Sequence, residues 1–117
     1  MSIRVFHLSH SETYWDGAVE IDHENPDAVE AMKQAVEFWT GWEDRLDEND
    51  GDYTKTFLKS LGEKLVLMQL HLGYNLSGII QDMAEEEGWP LLNGTYGIKL
   101  TRCGVPEIDD IYIEEKA

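Results

Sequence analysis

"NPDAVEAMKQAVEFWTGWEDRLDENDGDY", residues 25–53, decides the fold, because it holds the clearest helix in the chain and the turn that ends it. Asn25 offers a side-chain oxygen to the first free backbone N–H groups, Pro26 has the φ of a first helical position, and Asp27 puts negative charge at the positive end of the helix dipole. Ala28, Met32, Ala35, Trp39, Trp42 and Leu46 then recur at three- and four-residue spacing, flanked by Val29 and Val36. This pattern predicts one amphipathic helix running as far as Leu46. A turn of about 100° per residue puts Asp27, Glu30, Glu37, Asp44 and Glu48 on the face away from those apolar residues, with Asp47 beside them. Glu30, Glu37 and Asp44 repeat every seven residues, roughly 10 Å apart on a continuous helix. That spacing permits, without demonstrating, mimicry of a nucleic-acid backbone.

Apolar periodicity stops at Leu46 and resumes at Phe57 and Leu58, so the acid-rich "DENDGD" of residues 47–52 reads as a turn between helices. Gly51 suits a positive φ, and Asp52 or Thr54 suits the next N-cap. A calcium hand is excluded on its ligand pattern: with Gly51 at loop position 6, Leu46 falls at position 1 and Phe57 at position 12, where oxygen ligands are required. Titration calorimetry should accordingly find no specific calcium site in residues 44–53.

Working outward, "SIRVFHL" and "YWDGAVEID" alternate as strands and predict an N-terminal hairpin across the turn residues "SHSET". After the acidic turn, Leu58, Leu61, Leu65 and Leu72 form one stripe, and Val66, Leu67, Met68 and Leu70 fill much of the remaining surface, which predicts a central helix buried on most sides. Residues 54–87 read either as two helices broken at Gly73 to Asn75 or as one kinked helix, with Leu76, Ile79, Ile80 and Met83 driving the later part up to Gly88. Tyr96, Ile98 and Leu100 alternate with Lys99 and Thr101 as a strand, and Ile111 and Ile113 predict a last one. The order ββαα(α)ββ implies a single α+β domain over residues 1–117: an antiparallel sheet of about four strands with the helices packed on one face.

The combination of "EFWTGWEDRLDENDGDYTKTFLKSL" with "EEEGWPLLNGTYGIKL" resembles a bacterial family often carried by phages and plasmids, domain of unknown function 2528. The likeness runs through Phe38, Trp39, Trp42, Glu43, Arg45, Asp50, Gly51 and Asp52 to Glu87, Gly88, Trp89 and Pro90. What it implies is a fold and a mobile-element setting; the family has no assigned activity and supplies no catalytic residues.

Charge is the extreme property. There are 24 Asp and Glu against 9 Lys and Arg, a net charge of −15, and residues 20–52 alone hold twelve acids against Lys33 and Arg45. Such a surface repels nucleic acid and anionic membrane and attracts basic protein. No apolar run approaches the roughly 20 residues of a membrane span, the N-terminus lacks a signal-peptide core, and Cys103 is the only cysteine, so the expectation is a soluble cytoplasmic protein with a buried structural thiol.

Catalytic motifs are absent: there is no nucleophile elbow and no P-loop. His7, His10, Asp22, His23 and Glu24 lack chelate spacing, so no metal or cofactor is expected. An enzyme using carboxylates with His7, His10 or His23 is the least favoured of three readings. The favoured one is a regulatory or inhibitory protein whose acidic face (Asp27, Glu30, Glu37, Asp44, Asp47, Glu48) docks on a basic, nucleic-acid-binding protein surface. The alternative is a binding protein or subunit using an apolar groove near Phe38, Tyr74 and Trp89, with acidity serving solubility. Most of Phe38, Trp39 and Trp42 should be core, with Phe38 at its exposed edge, and Trp89 should plug the third helix against the sheet. Monomer and homodimer both fit.

Overall fold

The computed structural model describes residues 3–72 and 75–104. Strands β1 (Ile3–His10) and β2 (Trp15–Asp22) form an antiparallel hairpin, then come α1 (Pro26–Phe38), α2 (Trp42–Glu48), α3 (Tyr53–Leu72), α4 (Leu76–Ala84) and β3 (Ile98–Cys103). The sheet order is β1-β2-β3, antiparallel throughout, with β2 in the centre. The α+β architecture agrees with the sequence reading, with three strands where about four were predicted; the predicted strand at Ile111 and Ile113 lies outside the described residues.

Alternation along β2 explains which face is covered. Trp15, Val19 and Ile21 point inward and are 2 % exposed or less, while Asp16 is exposed and Glu20 and Asp22 are half-exposed. Against that inner face lie Ala28 and Met32 of α1, Phe57, Leu61 and Leu65 of α3, Ile79 and Met83 of α4, and Ile98 and Leu100 of β3, in one continuous core. On the outer face Glu20 stands opposite Lys99, an opposite-charge cross-strand pair.

The helices start and stop where local chemistry dictates. Asn25 Oδ1 accepts the Asp27 N–H at the head of α1. Asp52 heads α3, its Oδ1 accepting the Lys55 N–H at 3.1 Å. Between α2 and α3, Asp50 (φ 58°) and Gly51 (φ 74°) are left-handed, and the Gly51 N–H reaches back to Leu46 O at 2.9 Å. The acid-rich stretch is therefore a helix-to-helix turn, as read from sequence. Residues 54–87 contain two helices: α3 ends at Leu72, and Asn75 caps α4 by accepting the Gly78 N–H at 2.8 Å.

Three expectations need correction. The helix predicted as far as Leu46 is broken after Phe38, because Trp39 takes an extended conformation (ψ 138°) and Gly41 turns left-handed (φ 83°) before α2 begins. Arg45 stabilises the break: its guanidinium donates to Thr40 O at 3.0 Å and Trp39 O at 3.3 Å, satisfying carbonyls that a continuous helix would have used. The break also moves Trp39 out of the expected core to 40 % exposure. Finally, α3 is not buried on most sides, since Leu67 is 55 % exposed and Leu70 44 %.

A bidentate ion pair pins β3 to the start of β2. Arg102 Nε donates to Asp16 Oδ2 at 2.8 Å and Arg102 Nη2 to Oδ1 at 3.2 Å. The Arg102 hydrogen bond holds the Asp16 carboxyl below its ordinary value of 3.8. A depressed folded-state value stabilises the fold above the unfolded-state value and is lost as pH falls through the folded one. Below about pH 4, Asp16→Asn should therefore lose less stability than the unmodified chain, read from paired acid titrations. Equal acid limbs in the two proteins would remove this pair from the stability account.

Candidate acidic docking surface

The helix break rearranges the predicted acidic face. Asp27, Glu30 and Glu37 remain on α1, while Asp44, Asp47 and Glu48 ride on α2, a separate helix with its own direction. The seven-residue row therefore ends at Glu37 and the regular spacing does not extend to Asp44. Of these six side chains all but Glu37 are exposed. Glu37 is half-buried, and its Oε2 accepts the Tyr53 hydroxyl at 2.7 Å, tying α1 to the head of α3 and holding the Tyr53 phenol above its ordinary value. Glu30 accepts from Gln34 Nε2 at 3.2 Å, a pair within α1.

A second acidic group stands at the other end of α1. Asp82 in α4 and Glu85, Glu86 and Glu87 in the turn after it surround the exposed rings of Phe38 and Trp39, enclosing a shallow pocket of about 530 Å³. The rings meet edge to face, centroids 4.9 Å apart, and Trp39 continues to Trp89 at 6.2 Å, which in turn reaches Phe57 in the core at 6.2 Å. An aromatic row thus runs from the interior to the surface and opens among four carboxylates. Lys64 Nζ lies 3.5 Å from Glu86 Oε1, an ion pair at the edge of this group.

Gly88 allows the arrangement. Its φ is 83°, and a Cβ there would fall 2.8 Å from Phe38 Cε1, so a side chain at this position would push the ring off the turn. The local signal was present in "EEEG", but its meeting with Phe38 and Trp39 joins residues far apart in sequence and has no local pattern. Of the predicted apolar anchors, Phe38 and Trp89 are brought together through Trp39; Tyr74 lies outside the described residues. Trp89 packs on Phe57 of α3 and on Trp39, partly buried against the core.

His7, His10 and His23 do not line this pocket. His10 Nδ1 lies 2.8 Å from Thr13 Oγ1, His23 Nε2 lies 3.0 Å from Thr54 Oγ1, and His7 is exposed on β1. Among the described residues no three His, Cys, Asp or Glu side chains are placed to share a metal ion. No helix among them is long and apolar enough to cross a membrane. Cys103 is half-buried and accepts from Gln69 Nε2 at 3.6 Å, and burial pushes its thiol above the ordinary value.

Fold and surface together define a small acidic α+β protein with an aromatic row exposed among carboxylates. The chain belongs to the family described as "Protein of unknown function (DUF2528)", which it matches over residues 18–113. It is similar to protein ea10 of Escherichia phage lambda, with 29% identity over 104 residues, covering 82% of this chain and 84% of that protein. A lambda prophage-derived protein ea10 from Escherichia coli O6:H1 (strain CFT073) matches to the same extent. No solved structure matches the chain.

Proposed function

We propose that this protein is a non-enzymatic regulator or inhibitor that docks on a basic surface of a nucleic-acid-binding protein. The observation that carries the reading is the pocket at the end of α1, where Phe38 and Trp39 stand exposed among Asp82, Glu85, Glu86 and Glu87. A lysine or arginine side chain of a partner meets there both an aromatic face and negative charge, two sources of attraction for a cation. The acids of α1 and α2 add a wider field of the same sign, which raises the rate of encounter with a basic partner. Phosphate-like spacing no longer supports the reading, since the helix break interrupts the row. Charge and aromatic anchoring support it instead. The relatives come from a phage and a prophage, which supports a mobile-element setting.

The apolar-groove alternative shares the same residues. Of its anchors Phe38, Tyr74 and Trp89, Phe38 stands among the carboxylates and Trp89 reaches it through Trp39, which favours a cationic occupant over a purely apolar one. Changing Glu85, Glu86 and Glu87 together to Gln tests the point. All three are exposed, so each should move stability by less than about 0.5 kcal/mol. Association with a basic partner should slow and its salt dependence flatten, because rim charges act mainly on the on-rate. Unchanged association kinetics at low salt would return these acids to solubility alone.

A further inference from the structure

A second cavity, about 1140 Å³, lies between β1 and α3 and shares no lining residue with the pocket at Phe38 and Trp39. Its direction follows from the packing. Ile3 at the start of β1 pairs with Asp22, and the next residue, His23, places its Nε2 3.0 Å from Thr54 Oγ1 in the first turn of α3. Farther along, a Cβ on Gly62 would stand 3.8 Å from Leu8 Cδ1. Strand and helix therefore run side by side in the same direction. The groove between them has a head, at Arg4 and Lys55, and a tail, toward Leu67 and Leu70.

The two ends differ in chemistry. At the head Arg4, Lys55 and Lys59 are exposed, and among the described residues none of the three has an ion-pair partner. Such a gathering is unexpected in a protein where acids outnumber Lys and Arg by 24 to 9. Asp52 and Glu63 are the acids of the lining, and Asp52 is engaged as the cap of α3. The Arg4 guanidinium lies 5.0 Å from the Phe6 ring centroid, which holds the cation at the start of the apolar floor. Toward the tail the lining is Leu8, Val66, Leu67 and Leu70, the last two 55 % and 44 % exposed. His10 and Thr13 close the far end, 2.8 Å apart. From Lys59 to Leu70 the helix rises roughly 16 Å at about 1.5 Å per residue.

We propose that this groove binds a single-chain anionic amphiphile, a fatty-acid carboxylate, with its head at Arg4, Lys55 and Lys59 and its chain along Leu8, Leu67 and Leu70. An arginine fork takes a carboxylate through two parallel hydrogen bonds, and the lysines add point charge beside it. Covering Leu67 and Leu70 withdraws apolar surface from water. Neither end is served by half a ligand: an inorganic anion leaves the leucines wet, and a neutral hydrocarbon leaves the cations without a counter-charge. The net charge of −15 repels polyanions and anionic bilayers, whereas one small anion meets the local cations within the screening distance. The ligand is therefore a free monomer and not a membrane surface.

Titration calorimetry on the full chain with laurate, kept below its micelle-forming concentration, tests this. The unmodified chain should show a single saturable site. Arg4→Glu with Lys59→Glu, and separately Leu67→Asp, all at exposed positions, should each raise the laurate Kd at least about tenfold. Butyrate, which has the head without the chain, and dodecyltrimethylammonium, which has the chain with the opposite charge, should bind at least about tenfold more weakly than laurate. On saturation the Leu67 and Leu70 methyl resonances should move while the Trp39 indole N–H stays in place, which separates this result from the fate of the acidic pocket. Absence of saturable laurate binding, equal affinity for the cationic amphiphile, or laurate shifts at Trp39 without shifts at Leu67 would overturn the proposal. Cosedimentation with phosphatidylglycerol vesicles would overturn it by making the groove a membrane contact. A dimer that Leu67→Asp dissociates and laurate does not would overturn it equally, by assigning the groove to a second copy.

Discussion

Phe57→Ala should lower unfolding free energy by about 3–5 kcal/mol, the usual loss for deleting a fully buried aromatic ring. Phe57 is 1 % exposed, sits on α3 where α3 meets the core, and lies 6.2 Å from Trp89. Denaturant unfolding should show a fall in midpoint with little change in slope, since the surface exposed on unfolding is nearly unaltered. For a domain stable by about 5–15 kcal/mol, this is a large part of the total. The substitution also has a specific local effect. Trp89 loses its inner neighbour, so the indole N–H resonances of Trp89 and Trp39 should move in the folded protein. Leu61→Ala, fully buried on the same helix, should cost a comparable about 2–5 kcal/mol and leave those two resonances in place. A Phe57→Ala loss below about 1.5 kcal/mol would mean that the site collapses around the cavity and that the aromatic row is not rooted in the core.

Trp39→Ala should separate binding from stability. Trp39 is 40 % exposed and touches Phe38 and Trp89 at ring distances of 4.9 and 6.2 Å, so its removal should destabilise by no more than about 1.5 kcal/mol. As the central anchor of the proposed interface it should cost at least about 2 kcal/mol of affinity for a basic partner, roughly a thirtyfold rise in Kd. Trp39→Phe keeps an aromatic face and should recover part of that loss. A Trp39→Ala protein that is fully stable and binds the same partner with unchanged Kd would leave the aromatic row without a recognition role.

The contrast between Ala28 and Trp39 shows what was legible in the sequence. Ala28, Met32, Ala35 and Val36 are buried as their spacing predicts, and the Asn25 cap forms as read. Trp39, Trp42 and Leu46 keep the same spacing across a point where the helix does not continue. The available signal was Gly41, whose conformational freedom disfavours a helix interior by about 1 kcal/mol relative to alanine and here provides the left-handed turn. In α3 the apolar residues outnumber what one sheet face can cover, so Leu67 and Leu70 remain exposed beside the groove. The acids of residues 82–87 have no local pattern that marks them as a site, and only tertiary packing places them around Phe38 and Trp39.

The central claim is that an acidic surface anchored by aromatic rings binds basic protein. Its most direct test is affinity capture from bacterial lysate at low and high salt, using the unmodified chain, Trp39→Ala, and the Glu85, Glu86 and Glu87 to Gln triple variant in parallel. The account predicts that the unmodified chain retains basic nucleic-acid-binding proteins at low salt and releases them at high salt, and that both variants retain markedly less. Capture of the same proteins by all three chains, undiminished at high salt, would contradict it.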